Sequence, residues 1–164
     1  MAHSPLAAEA LATVHIRRAA VSDAADIARL SVQFGHPVLV TEVVARIAAL
    51  AEMPSQFLAV AEVSAAGLLG WIQVERRLVL AAGARAEIVG LVVDASARRR
   101  GVATLLANAA QLWAGDADVA QIVVRSNVAR DASHAFYLAL GYSRIKTQHV
   151  YAKSVTRSAT ALRR

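Results

Sequence analysis

The order of hydrophobic periods along this 164-residue chain predicts a mixed α/β fold, with a central mixed sheet flanked by helices. Three observations carry that reading. Residues 88–93 form an apolar, β-branched run, and a cationic, glycine-containing turn follows it at once. Period-two and period-3.6 segments then succeed one another in the order β-α-α-β-β-β-α-β-α-β. The length suits one domain with a real core, and the 57% hydrophobic share comes heavily from alanine.

Taken in order, residues 1–11 read as a flexible extension, and residues 12–153 as the domain. Residues 13–18 alternate as a first strand, with Val14 and Ile16 on one face. Ser22 or Asp23 can cap a helix whose Ile27, Leu30 and Phe34 share a stripe; Gln33 to Pro37 break it. Thr41 can cap a second helix carrying Val43, Ile47 and Leu50. Residues 57–63 and 68–80 predict a hairpin around Ser64-Ala65-Ala66-Gly67, and residues 85–93 a third strand of that sheet. The next helix presents Val102, Leu105, Leu106, Ala109 and Trp113, and Gly115 is placed to end it. Residues 120–125 predict a strand, 130–140 a helix, 142–153 one long or two short strands, and 154–164 a basic tail.

Composition excludes several classes. Without cysteine there are no disulfides, thiolate nucleophiles or cysteine metal sites, which fits a cytoplasmic chain. His3, His15, His36, His134 and His149 show no metal-ligand spacing, so no metal is expected. No apolar run reaches the ~18 residues of a membrane span, and Met1-Ala2-His3-Ser4-Pro5 carries no secretory signal pattern. The net charge of +6 is distributed over Arg17-Arg18, Arg76-Arg77, Arg98 to Arg100 and the tail, not interleaved with aromatics on one element. A nucleic-acid partner is therefore not expected. Ser143, in Gly141-Tyr142-Ser143, lacks the second glycine of a nucleophile elbow.

The turn Arg98-Arg99-Arg100-Gly101-Val102-Ala103-Thr104 is the strongest site signal. The first N–H groups of a helix have no intrahelical acceptor, the helix dipole is positive at that end, and glycine lets an anion approach the backbone. A phosphorylated ligand fits. The run is neither a P-loop nor a dinucleotide fingerprint. Its Arg-x-x-Gly-x-Ala spacing resembles the pyrophosphate-binding signature of the GNAT (GCN5-related N-acetyltransferase) superfamily. A second segment, Ser126-Asn127 followed by Ser133-His134-Ala135-Phe136-Tyr137 and Gly141-Tyr142, resembles the late segment of the same superfamily, with Gly141 at a left-handed helix C-cap. The resemblance spans roughly residues 13–153.

That resemblance implies the acyl-CoA N-acyltransferase fold and acetyl-CoA as cosubstrate. Backbone groups of Arg99, Arg100, Gly101, Val102, Ala103 and Thr104 are expected at the pyrophosphate, with Arg98 and Arg100 adding attraction. Leu91, Val92 and Val93 are expected to offer strand N–H and C=O groups to pantetheine. Asn127 matches a residue often bonded near the pantetheine; a plain turn-forming asparagine is the competing reading. Tyr137 resembles the family tyrosine that protonates the departing thiolate, against an amphipathic aromatic at a core margin. Glu87, fourteen residues before Gly101, sits in the register of a catalytic glutamate and is expected on the face of Val89 and Leu91. The alternatives for Glu87 are a solvated carboxylate at the sheet margin and a water chain in its place. His134 reads as helix packing or a CoA contact, and Trp71, Glu75 and His36 as walls of an acceptor pocket.

The expected activity is acetyl transfer from acetyl-CoA to a primary amine by direct attack in a ternary complex, an acyltransferase reaction. The alternative is a non-catalytic acyl-CoA-binding sensor. The acceptor, whether small molecule or protein amine, is not named by these residues. A homodimer is plausible only because the superfamily often forms one.

Overall fold

The computed structural model describes residues 14–64 and 67–155, in which five strands form one sheet in the order β1-β2-β3-β4-β5. The strands are β1 (Val14–Arg18), β2 (Gln56–Val63), β3 (Gly67–Val79), β4 (Gly83–Val93) and β5 (Ile122–Val124). Neighbours are antiparallel except β4 and β5, which are parallel. A parallel pair needs a long crossover, supplied here by helix α3 (Val102–Asp116). Helices α1 (Ala24–Gln33) and α2 (Val40–Ala51) connect β1 to β2, and α4 (Asp131–Ala139) follows β5. The described residues up to Asn127 make one compact unit and those from Val128 onward a second. The expected 1–11 extension lies outside the described residues, as does all but the first two residues of the 154–164 tail.

Each face of the sheet is buried by its own helices. On one side Ile27, Leu30, Val43 and Ile47 pack with Val60, Leu68 and Val92, and Trp71 closes against them. On the other, α3 lies on β2, β3 and β4. There Phe57 stacks on Trp113 with ring centroids 5.5 Å apart, and Leu106 is fully buried. Side chains such as Leu30, Ile72 and Leu106, removed from water completely, contribute about 1.5–3 kcal/mol each. Because both faces are covered, β2 reads as a near-continuous apolar run and not a clean alternation.

The structure departs from the sequence reading at several points. Asp23 precedes α1 but does not cap it; its carboxylate accepts from Arg17 at 2.7 and 2.9 Å and from the Ala20 N–H at 2.7 Å. Helix α2 starts at Val40 behind Leu39, so Thr41 lies inside it. The α3 stripe turns toward Val102, Leu106, Ala110 and Ala114. Gly115 does not end α3, which continues to Asp116; Asp118 takes the left-handed backbone at φ 51°. A short polar side chain tolerates that region. The expected strand over residues 142–153 does not form, and residues 142–155 belong to no regular element. Their large apolar residues Tyr142, Ile145, Val150, Tyr151 and Val155 follow no period of two, and the last four are exposed. No helix of the described residues is long and apolar enough to cross a membrane.

Candidate functional site

Strand β4 is built in two halves joined by a bulge at Val89. Ile88 pairs with Val74 and Gly90 with Gln73, so Val89 has no counterpart on β3 and stands 45% exposed. Before the bulge, β5 pairs with Ala86, Glu87 and Ile88, and the Ala86 N–H donates to Gln121 O at 2.9 Å. After it, among the described residues, no strand pairs with β4 on that side. The Asp94 N–H donates to Leu69 O on β3 at 2.8 Å. Strand alternation therefore turns the peptide groups of Leu91 and Val93 to the open edge, and those of Gly90 and Val92 toward β3. An extended ligand arm can lie along that edge and take main-chain hydrogen bonds.

The bulge also reverses side-chain parity. Glu87 pairs with Glu75, Gly90 with Gln73 and Val92 with Trp71, so Glu87 shares its face with Gly90 and Val92. It is not on the face of Leu91, and Val89 is the bulged residue itself; the extra residue between them corrects the simple alternation expected from sequence.

Beyond Val93 the chain makes a 3₁₀ turn, Ala95–Ala97, and enters α3 through two left-handed residues, Arg99 at φ 57° and Gly101 at φ 81°. The first intrahelical bond runs from the Leu105 N–H to Gly101 O at 3.1 Å, so the N–H groups of Val102, Ala103 and Thr104 precede it. Among the described residues, no side chain caps this end. Arg98, Arg99 and Arg100 are exposed around it, and Arg98 Nε reaches back to Val93 O at 3.4 Å. A helix N-terminus preceded directly by three exposed arginines suits a di-anionic phosphate ester.

This turn is clamped from α1 by residues that local sequence did not single out. The Asp94 carboxylate accepts from Arg29 at 2.6 Å, from the Ser96 N–H at 3.0 Å and from the Ser96 hydroxyl at 2.8 Å. Those contacts, Arg29 foremost, hold its carboxyl well below the usual range. Arg29 also donates to Leu68 O at 3.1 Å, and the Ala95 N–H donates to Gln33 Oε1 at 2.9 Å.

Glu87 is not solvated. Its side chain is 6% exposed, and both oxygens are engaged: Oε1 by Arg125 at 3.1 Å, Oε2 by Arg77 at 3.0 Å, with Arg85 3.7 Å away. Arg77 also reaches Glu75 at 3.2 Å. A visible signal was the symmetry of the β3–β4 hairpin. Glu75 and Arg77 stand as far before Ala81 as Glu87 and Arg85 stand after it, and they are register partners. Trp71 lies on the same face against Gly90, while His36 is exposed beside Phe34, ring centroids 5.3 Å apart. Asn127 is exposed in the loop after β5.

In the second unit, α4 ends in a complete left-handed cap: Gly141 has φ 85°, its N–H donates to Leu138 O, and the Tyr142 N–H donates to Tyr137 O. Tyr137 is half-buried between Phe136 and Tyr142, ring centroids 5.1 and 5.4 Å away. Burial pushes its phenol up to about 12. Phe136 and Leu140, four residues apart on one stripe, are only half-buried, and no residue of α4 is fully buried. His134, on the same helix, is half-buried.

The model of the acetyltransferase (GNAT) family matches residues 25–142. No curated protein matches the chain by sequence. Solved structures are similar in fold. One is a putative acetyltransferase from Agrobacterium tumefaciens str. C58, 22% identical, covering 85% of this chain and 99% of that one, TM-score 0.74. Another is aminoglycoside N-acetyltransferase AAC(6')-Iy in complex with CoA, 20% identical, covering 87% and 95%, TM-score 0.76. A third is glucosamine-6-phosphate N-acetyltransferase from Arabidopsis thaliana, 16% identical, covering 87% and 99%, TM-score 0.73.

Proposed function

The chain belongs to the GNAT acetyltransferase family, and from that premise we propose that it transfers the acetyl group of acetyl-CoA to a primary amine by direct attack in a ternary complex. The observation that carries this reading is the open edge of β4, leading directly into the uncapped α3 N-terminus. In this reading the peptide groups of Leu91 and Val93, with Val92 between them, hold the pantetheine arm. The N–H groups from Arg99 to Thr104 hold the pyrophosphate, with the Arg98 and Arg100 guanidinium groups nearby; Asn127 contributes at the pantetheine. Acetyl-CoA supplies the activated acetyl group. An N–H of the strand near Val93 stabilises the charge that develops on the carbonyl oxygen.

A lysine-like amine, with a reference pKa near ~10.4, arrives protonated and must lose a proton before attack. Glu87 is the proton acceptor in this reading and acts through water, because Arg125 and Arg77 occupy its two oxygens. Tyr137 supplies the proton to the departing thiolate; that role rests on its motif and on the burial that keeps its phenol protonated.

Thiol release from acetyl-CoA across a panel of amines tests the proposal, with Glu87→Gln and Tyr137→Phe beside the parent. Acceptor-dependent release that falls in both variants supports it. A ping-pong pattern with a trapped acetyl-enzyme contradicts direct attack. Tight acetyl-CoA binding with no release from any amine favours the sensor.

A further inference from the structure

The arginine cluster around Glu87 specifies the acceptor. We infer that the amine substrate carries an anionic group, a carboxylate or a phosphate, which Arg125, Arg85 and Arg77 bind on the sheet face beside Glu87; this rests on the transferase reading above.

Charge balance is the first support. Three guanidinium groups converge from β3, β4 and the residue after β5 on two carboxylates, Glu87 and Glu75. Among the described residues, one positive charge in this cluster is left over. The donors are also under-used. Arg125, 56% exposed, engages Glu87 through Nε, which leaves its terminal N–H groups for another acceptor. Arg85 stands 3.7 Å from Glu87, beyond a hydrogen bond, and its Nε is buried with no partner among the described residues. Trp71 Nε1, on the same face, is likewise buried without an acceptor. This face holds more N–H donors than oxygens, and the planar guanidinium fork matches a carboxylate or phosphate.

Position sets the shape of the ligand. Glu87 and Gly90 face Glu75 and Gln73, two residues apart on β3, so despite the extra residue of the bulge they stand about 7 Å apart along the sheet at a rise of ~3.3 Å per residue. An anion held at the arginines and an amine delivered near the bulge are therefore separated by about the length of a hexose or a six-carbon chain. A polycationic acceptor would meet the surplus arginine charge.

Two matched pairs test this by kcat/KM and by equilibrium binding: 6-aminohexanoate against 6-aminohexan-1-ol, and glucosamine 6-phosphate against glucosamine. The expected result is a tenfold or greater preference for the anionic member of at least one pair, and the pair that shows it identifies carboxylate or phosphate. In Arg125→Gln that preference falls to threefold or less while KM for acetyl-CoA is unchanged, and Arg125→Lys restores part of it. Equal use of both members, or better turnover of a polycation such as neamine, overturns the inference and leaves the transferase standing. A fall in kcat common to all four compounds, with the pairwise ratios intact, also overturns it, because Arg125 then serves only to hold Glu87. If none is acetylated, the transferase reading is what suffers. The binding ratios still decide: tighter binding of the anionic member supports the arginine site, and equal binding removes it.

Discussion

The indole of Trp71 rests on the Cα of Gly90: a methyl group added there would lie 2.6 Å from Cζ3 and 2.8 Å from Cη2. The contact joins β3 to the first residue after the β4 bulge, at the point where side-chain parity reverses and the strand's open edge begins. Gly90→Ala is expected to cost about 1–3 kcal/mol by overpacking, read as a shift in the denaturant midpoint at constant m-value. Trp71→Phe removes the ring atoms in conflict, so the double variant should recover most of that loss. Additive losses in the double-mutant cycle would show that the glycine serves something other than the indole.

Gly101 enters α3 at φ 81°, a conformation that costs an L-residue about 1–2 kcal/mol. Gly101→Ala should therefore lose roughly that much stability, and it should weaken the anion site more than the fold. The measurement is affinity for CoA against affinity for dephosphorylated pantetheine. The variant is expected to lose tenfold or more for CoA and little for pantetheine, since only CoA carries the pyrophosphate. An equal loss for both would move the phosphate elsewhere.

What was legible in the sequence follows the range of the interactions involved. The β4–turn–α3 passage is local: a β-branched run, a glycine able to hold a positive φ, and arginines within a few residues of one another. The Gly141 cap is legible for the same reason. The bulge is not, because it exists only in the β3–β4 register, which also brings Trp71 onto Gly90, nineteen positions away in sequence. Simple alternation across residues 87–91 consequently placed Glu87 on the wrong face. Its arginine partners come from β3, β4 and the end of β5, so no window of sequence holds them together, although the mirrored Glu75/Arg77 and Arg85/Glu87 pairs were a clue. Residues 142–153 misled in the other direction: β-branched and aromatic content suggested a strand where no neighbour among the described residues pairs.

The Arg29–Asp94 pair, 2.6 Å long, ties α1 to the turn that presents the anion site. Asp94→Ala is expected to cost about 1–2 kcal/mol and to raise KM for acetyl-CoA. The effect depends on pH with a definite sign. Because Arg29 and Ser96 hold the folded-state carboxyl below its ordinary 3.8, the pair's contribution is complete above that value and is lost as pH falls toward the lowered one. Stability curves of parent and variant measured from about pH 7 downward should run parallel to about pH 5 and converge below about pH 4. A constant gap through the acid range would place the stabilisation in packing and not in charge.

Tyr137 offers a test in the alkaline range. Burial raises its phenol from 10.0 to about 12, so the protonated form, the one able to donate to a thiolate, persists through any ordinary assay pH. The rate should therefore show no alkaline decline attributable to this group below about pH 11. Tyr137→Phe is expected to lower kcat by about 10²-fold without changing the shape of the pH profile or the affinity for acetyl-CoA. A parent profile that falls between pH 8 and 10, with the fall abolished in the variant, would mean that the phenol ionises within that range and would remove burial as the basis for its role as the acid. An unchanged kcat in the variant would leave solvent as the proton donor and reduce Tyr137 to an aromatic packed between Phe136 and Tyr142.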